Sequence, residues 1–154
     1  MDLTLDDLAT LTELLGREPG APCEIAVRSA AGAPLVIRNA PFMFDGTPMP
    51  TRYWLVDPEL LRRVSTLEAD GGVRAAEAEL DPDAIAAAHA AYAAERDAQI
   101  PEDHTGPRPF GGVAGTRQGV KCLHAHYAAW LAGTDDPVGA WVEAKLRTEP
   151  EEPA

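Results

Sequence analysis

Cysteine is scarce in this chain of 154 residues, and long apolar runs are missing from it. Its two cysteines, Cys23 and Cys122, are too few for the disulfide framework of a small secreted domain and suit a reducing compartment. No segment reaches the ~18 consecutive apolar residues that a membrane span needs. The N-terminus is acidic where a secretory signal is basic. These absences predict a cytoplasmic protein that does not enter the membrane.

Positive charge is also in short supply, since 13 lysine and arginine residues stand against 25 aspartate and glutamate residues. A formal net charge of −12 argues against an extended nucleic-acid surface, because phosphate backbones are bound by clustered bases. A basic pocket on an acidic body stays open, since a ligand responds to the charge near its own site. We expect no nucleic-acid partner, and a small anionic or phosphorylated ligand if the chain has one.

The pattern of turn residues and apolar residues predicts an α+β fold in a single domain over residues 1–148. Three short extended stretches suggest a small antiparallel sheet of about three strands, covered by several helices. The predicted strands are 24–29, 34–39 and 51–56. The acidic tail, 149–154, is predicted to be frayed.

Helix starts are marked by capping residues. Thr4 with Asp7 predicts a first helix over 4–15 that stops at Gly16. An aspartate followed by proline is a second start signal, because it joins a side-chain cap to the preferred first helical residue. This signal occurs at Asp57, Asp81 and Asp136.

Residues 111–130, GGVAGTRQGVKCLHAHYAAW, place glycines and bases before a predicted helix that runs from about 119 to 132. Helix N-termini offer unpaired N–H groups, and glycines let the backbone turn such groups onto an anion. The segment is not a Walker A motif, because Lys121 is followed by Cys122. A plain structural turn is the alternative. The candidate anion-binding residues are Gly115, Thr116, Arg117, Gly119 and Lys121, with Arg28 or Arg96 completing the charge.

The same helix carries a Cys-x-His-x-His pattern. At 100° per residue, Cys122 and His126 share one flank, whereas His124 lies on the opposite flank. The pattern therefore cannot supply three ligands to one metal ion while it remains helical, and at most Cys122 and His126 could chelate with help from elsewhere. We expect no metal site and no cofactor.

Chemistry at this helix would use Cys122 and His124 as the candidate catalytic residues. Near a helix start, the dipole and the neighbouring Lys121 favour a thiolate, and His124 could act as its acid or base. The competing interpretation is that Cys122 is a small buried residue of the apolar face, as free cysteines usually are.

Three stretches resemble a known family: DGTPMPTRYWL (45–55), AAYAAERDA (90–98) and GVKCLHAHYA (119–128). In this order they resemble the bacterial domain-of-unknown-function 501 family, which is common in actinobacteria. The resemblance singles out Lys121, Cys122 and His124 and implies no established reaction. Relatives often lie in gene neighbourhoods with a cell-division initiator, an associational link. Where many relatives have an Arg-Cys-Pro stretch, this chain has Arg28-Ser29-Ala30, so the cysteine of that stretch is missing here.

Two hypotheses follow for function. The first is a small-anion site at the glycine-rich loop, with catalysis optional. The second is a non-enzymatic interaction or regulatory protein, in which the Lys-Cys-Leu-His helix is simply buried core.

Overall fold

The structure is a computed structural model that describes residues 3–148, so the predicted tail lies outside the described residues. Its elements in chain order are α1 (Leu5–Leu15), β1 (Cys23–Arg28), β2 (Pro34–Asn39), β3 (Tyr53–Leu55), α2 (Pro58–Ala69), α3 (Gly72–Glu79), α4 (Pro82–Asp97), α5 (Leu123–Leu131) and α6 (Pro137–Thr148), with a short 3₁₀ turn (Val113–Gly115) before α5. The α+β prediction is confirmed. None of the described helices has the length and apolar character needed to span a bilayer.

The predicted capping residues act as caps. The Thr4 side chain accepts the Asp7 N–H, and the side chains of Asp57 and Asp81 accept N–H groups at the starts of α2 and α4. Asp136 does the same at the start of α6, where Oδ1 accepts the N–H groups of two residues in the first turn.

Several predicted boundaries are wrong. The first strand lies one residue earlier than predicted, and the third is shorter, at Tyr53–Leu55. The sequence analysis also did not identify α3, which follows α2 after a short turn. Gly71 does turn the chain, with φ of 86° in the left-handed region. Gly72 then starts the next helix at once.

The three antiparallel strands lie in the order β1-β2-β3, so β3 is an edge strand. Successive side chains point to opposite faces of a sheet. Ile37 packs with Leu11 of α1 in a small core on one face. Val36 and Leu55 belong to the larger core on the other face, together with buried residues of α5. The sheet is therefore covered on both faces, and α5 is a central helix of the larger core.

The start of α5 differs from the prediction. Cys122 is the N-cap with extended backbone angles, φ −152° and ψ 153°, and the helix begins only at Leu123. Residues 119–122 are therefore not helical, contrary to the predicted start near 119. This also overturns the predicted flanks, because helical spacing does not apply between Cys122 and His124.

Candidate functional site

The glycine-rich loop is held in place by His89 of α4, a residue that the sequence analysis did not single out. His89 is 5% exposed. Its Nδ1 accepts the Val113 N–H at 3.1 Å, so Nε2 carries the ring proton and donates to the Gly119 carbonyl at 2.7 Å. Gly112 allows this approach, since a Cβ there would lie 2.5 Å from the His89 Cβ. One neutral imidazole thus holds both ends of the loop.

Several N–H groups in and around the predicted anion cradle already donate within the protein. Inside the loop, the Gly112 N–H bonds the Thr116 carbonyl at 2.8 Å. Beyond it, Glu77 Oε2 accepts the Val120 N–H at 3.3 Å, and Glu68 Oε2 accepts the Leu123 N–H at 2.7 Å. The start of α5 therefore carries a carboxylate of the protein itself. An anion bound by these amides would have to displace those partners.

The predicted arginines do not meet at one point. Arg28 is exposed at the β1–β2 turn, where it bonds Asp7 and the Gly32 carbonyl. Arg96 is 1% exposed. Arg96 and Arg117 line an open groove of about 380 Å³ beside the glycine loop, and Thr116 lies there too. The structure thus brings Thr116, Arg117 and Arg96 together but leaves Arg28 elsewhere.

Lys121, Cys122 and His124 lie on a different surface, at one end of a cavity of about 470 Å³. The cavity lies at the edge strand β3, between the end of α1, helix α2 and the start of α5. Thr51 and Tyr53 add polar atoms to its lining. Most of the wall is apolar and consists of Leu15, Trp54, Leu55, Leu61, Ala114 and Ala125. Neither Gly115 nor Gly119 is among the residues that line it.

Cys122, His124 and Glu68 form a compact cluster at this end of the cavity. A ligand atom from each lies within 4.8 Å of the other two. His124 Nδ1 lies 3.2 Å and 3.4 Å from the two carboxylate oxygens of Glu68. The Cys122 side chain hydrogen-bonds to the ring and raises the pKa of His124 to about 9, and Glu68 acts in the same direction while partial burial opposes both. Cys122 and Glu68 therefore both favour the protonated form of His124.

His126 belongs to the core and not to this cluster. It is 1% exposed, and its Nδ1 donates to Asp136 Oδ2 at 2.7 Å. The predicted pairing of Cys122 with His126 is therefore wrong, because Cys122 precedes the helix and lies near His124 instead.

Another cavity, of about 350 Å³, has charged residues in its lining, among them Arg38, Glu95 and Asp136. Each of these is already bonded within the protein. Arg38 pairs with Glu24, Glu95 accepts the hydroxyl of Tyr53, and Asp136 accepts from His126. These groups stabilise the fold, so the cavity at β3 is the better candidate for a ligand.

Replacing His89 with phenylalanine is expected to loosen residues 112–119. The change leaves the Val113 N–H and the Gly119 carbonyl without their partner, at about 1–3 kcal/mol for each buried group. Hydrogen exchange followed by mass spectrometry should show that exchange in the variant, relative to the wild type, rises more in this loop than in α4. The matched control is His104→Gln in the neighbouring loop. Equal protection of the loop in the His89 variant and the wild type would contradict the assignment.

Glu68 is the cluster residue that sequence reasoning missed. It lies 55 positions before Leu123 and 56 before His124 in the chain. It stands in the last turn of α2, where an acidic residue has no helix-dipole role to mark it. No local pattern connects it with the Cys/His segment, and only the packing of α2 against α5 does so.

These features define an α+β protein with a lysine, a cysteine and a histidine at one end of a largely apolar cavity. Residues 25–144 match the family described as protein of unknown function, DUF501, and the chain belongs to that family. The matched region runs from β1 into α6, so it contains the whole cluster, and the resemblance expected from the sequence is confirmed. Comparison with curated proteins and with solved structures gave no match.

Proposed function

We propose that the protein binds a small organic anion in the cavity at β3, with the anionic group beside Lys121 and the apolar body inside. The observation that carries this proposal is the combination of a lysine with a largely apolar cavity of about 470 Å³. Ligand cavities commonly occupy ~300–1,000 Å³ and combine apolar walls with a few polar groups. The cavity thus has the size and lining of a small-molecule site.

Lys121 supplies the positive charge. It is exposed at the cavity, and no ion pair or hydrogen bond links it to another of residues 3–148. The cations of the neighbouring groove are less available, since Arg96 is bonded within the protein and Arg117 stacks over Phe110. A lysine without a partner can bind an anionic group without losing an existing ion pair.

The apolar wall refines the class of ligand. Inorganic phosphate or polyphosphate has no apolar part that could fill the space along Trp54 and Leu61. A carboxylate or phosphate ester with an aliphatic or aromatic body buries that part while its charge stays at the mouth. We therefore favour an amphiphilic metabolite over the purely inorganic anions.

Cys122 and His124 stand where such a ligand would place its polar end. Nucleophilic catalysis by cysteine pairs the thiol with a histidine that a third group orients, and Glu68 contacts the ring of His124. The catalytic roles predicted for Cys122 and His124 belong to this proposal. The ligand would lie against the thiol whether or not a reaction follows.

The rival function is an interaction or regulatory protein, with a link to cell division, in which α5 is only a core helix. The helix is well buried, with Leu123, Ala128 and Ala129 at 0% exposure. What favours a ligand site is that Lys121, Cys122 and His124 line a cavity, whereas residues 126–129 of α5 are buried and do not line it.

Thermal unfolding against a panel of alkyl and aryl carboxylates, alkyl and aryl phosphates, inorganic phosphate and polyphosphate tests this function. A ligand at 100 times its Kd adds about 2.7 kcal/mol of stability. That is a rise of several degrees in Tm for a chain of this size. We expect an amphiphilic anion to give the rise and to slow alkylation of Cys122 by iodoacetamide.

Lys121→Ala should remove the ligand-induced rise in Tm while leaving the Tm of the free protein within the small range of surface changes. Lys145→Ala is the matched control, because Lys145 is the chain's other lysine and lies over the Trp141 ring of α6. An equal ligand response in both variants, or no response from any compound in the wild type, would refute the proposal and favour the rival function.

A further inference from the structure

We propose that Glu68, Cys122 and His124 bind a zinc ion at the polar end of the cavity. This inference does not rest on the anion site, because Lys121 is not among the ligands. It also departs from the sequence expectation of no metal, which assumed that Cys122 lies within the helix.

The geometry of the cluster suits a small cation. The carboxylate oxygen, Sγ and ring nitrogen lie within 4.8 Å of one another. Zinc bonds of about 2.0–2.3 Å place tetrahedral ligand atoms about 3.3–3.7 Å apart. Small rotations of these three partly buried side chains would close that difference.

The donor types select zinc among the common divalent ions. Calcium and magnesium prefer sites made entirely of oxygen, whereas zinc accepts sulfur, nitrogen and oxygen together. A Cys122 thiolate and the Glu68 carboxylate balance the double positive charge, and neutral His124 adds the third ligand. Zinc binding therefore releases protons from the cluster.

The surroundings orient one of the zinc-binding side chains and leave the ion a route from solvent. The Leu123 N–H donates to Glu68 Oε2 at 2.7 Å, which fixes the orientation of the carboxylate as outer-shell bonds do at metal sites. Cys122 and His124 both line the cavity, which gives the ion a route from solvent. Zinc sites that bind a further molecule have three protein ligands and an open fourth position. At this cluster the fourth position would lie toward the cavity.

Cobalt substitution tests the site directly. Protein stripped with a chelator and freed of any histidine tag is titrated with Co²⁺, and then with Zn²⁺ in competition. We expect one Co²⁺ per chain, visible bands of a tetrahedral ion, and a near-ultraviolet charge-transfer band from a thiolate ligand. Zinc should displace the cobalt and raise the Tm.

Variants show which residues bind the ion. Cys122→Ser should abolish the charge-transfer band, while Glu68→Gln and His124→Gln should weaken zinc binding by more than the ~10–100-fold loss caused by removal of an outer-shell partner. Glu68→Gln retains an oxygen for the Leu123 N–H, so helix α5 keeps its cap. Circular dichroism of each metal-free variant checks that it folds. Cys23→Ala and His104→Gln, which change a cysteine and a histidine outside the cluster, should bind cobalt as the wild type does.

The absence of stoichiometric Co²⁺ binding in the wild type would overturn the proposal. So would a charge-transfer band that survives in Cys122→Ser, or zinc binding that Glu68→Gln leaves unchanged. Anion binding is measured both on protein stripped of metal and on zinc-loaded protein. Zinc binding is measured on the Lys121→Ala variant. Failure of one proposal is thereby distinguished from failure of the other.

Discussion

Replacing Asp136 with alanine is expected to lower the free energy of unfolding by about 2–4 kcal/mol, because it removes a buried hydrogen-bond partner and the N-cap of α6 together. Asp136 is 3% exposed and His126 1% exposed. One carboxylate oxygen bonds His126 Nδ1 at 2.7 Å, and the other accepts the N–H groups of Val138 and Gly139. Among the described residues His126 Nε2 has no hydrogen-bond partner, so the variant leaves neither ring nitrogen with one.

Urea unfolding at equilibrium measures this change, with Asp135→Ala as the control. Asp135 is the exposed neighbour of Asp136, and its replacement should change stability by no more than about 0.5 kcal/mol. Asp136→Asn keeps an oxygen for the N-cap and should lose less than the alanine variant. Similar stabilities for the Asp135 and Asp136 alanine variants would contradict the role of the pair.

Arg96→Met is expected to cost about 2–4 kcal/mol through buried acceptors left without a donor. The guanidinium donates to the carbonyls of Pro50 and Phe110 at 3.1 Å and 3.4 Å, and to Asp97 at 3.0 Å. It thus ties α4 to the loop before β3 and to the glycine loop. Methionine fills much of the space but donates no hydrogen bond, so both loops lose their link to the helix.

The control for Arg96 is Arg117→Met, in the same groove. Arg117 is exposed and stacks over Phe110, so its loss should cost little stability. Urea unfolding of both variants separates a structural arginine from a binding one. Equal stability of the two variants would show that the buried bonds of Arg96 contribute nothing, and would favour its predicted role in binding.

Local features of the fold were predictable because their causes are local. The caps at Thr4, Asp57 and Asp81 each bond an N–H two or three residues away, so a short sequence pattern contains the whole interaction. The predicted start of α5 is too early because it places Gly119 and Lys121 within the helix. The extended Cys122 is instead the N-cap, and the helix begins at Leu123, whose N–H donates to Glu68.

The candidate site was predictable only in part for the same reason. Lys121, Cys122 and His124 are neighbours in the chain, and the sequence indicated them together. Glu68 and His89 reach the segment from other helices, 24 or more positions away. The packing decides which group accepts hydrogen bonds from the N–H groups of a glycine-rich loop. A loop that binds an external anion and a loop held by the protein's own side chains therefore have the same sequence pattern.

The cavity at β3 has a consequence for synthesis on the ribosome. Its wall begins with Leu15 at the end of α1 and is completed by Ala125 in α5. During translation Leu15, Trp54 and Leu61 leave the exit tunnel long before the residues that cover them. These apolar side chains stay exposed to water and to chaperones until α5 has emerged, because contacts between distant parts of the chain form only when both parts are present. A nascent chain stalled before residue 120 would carry this unfinished wall.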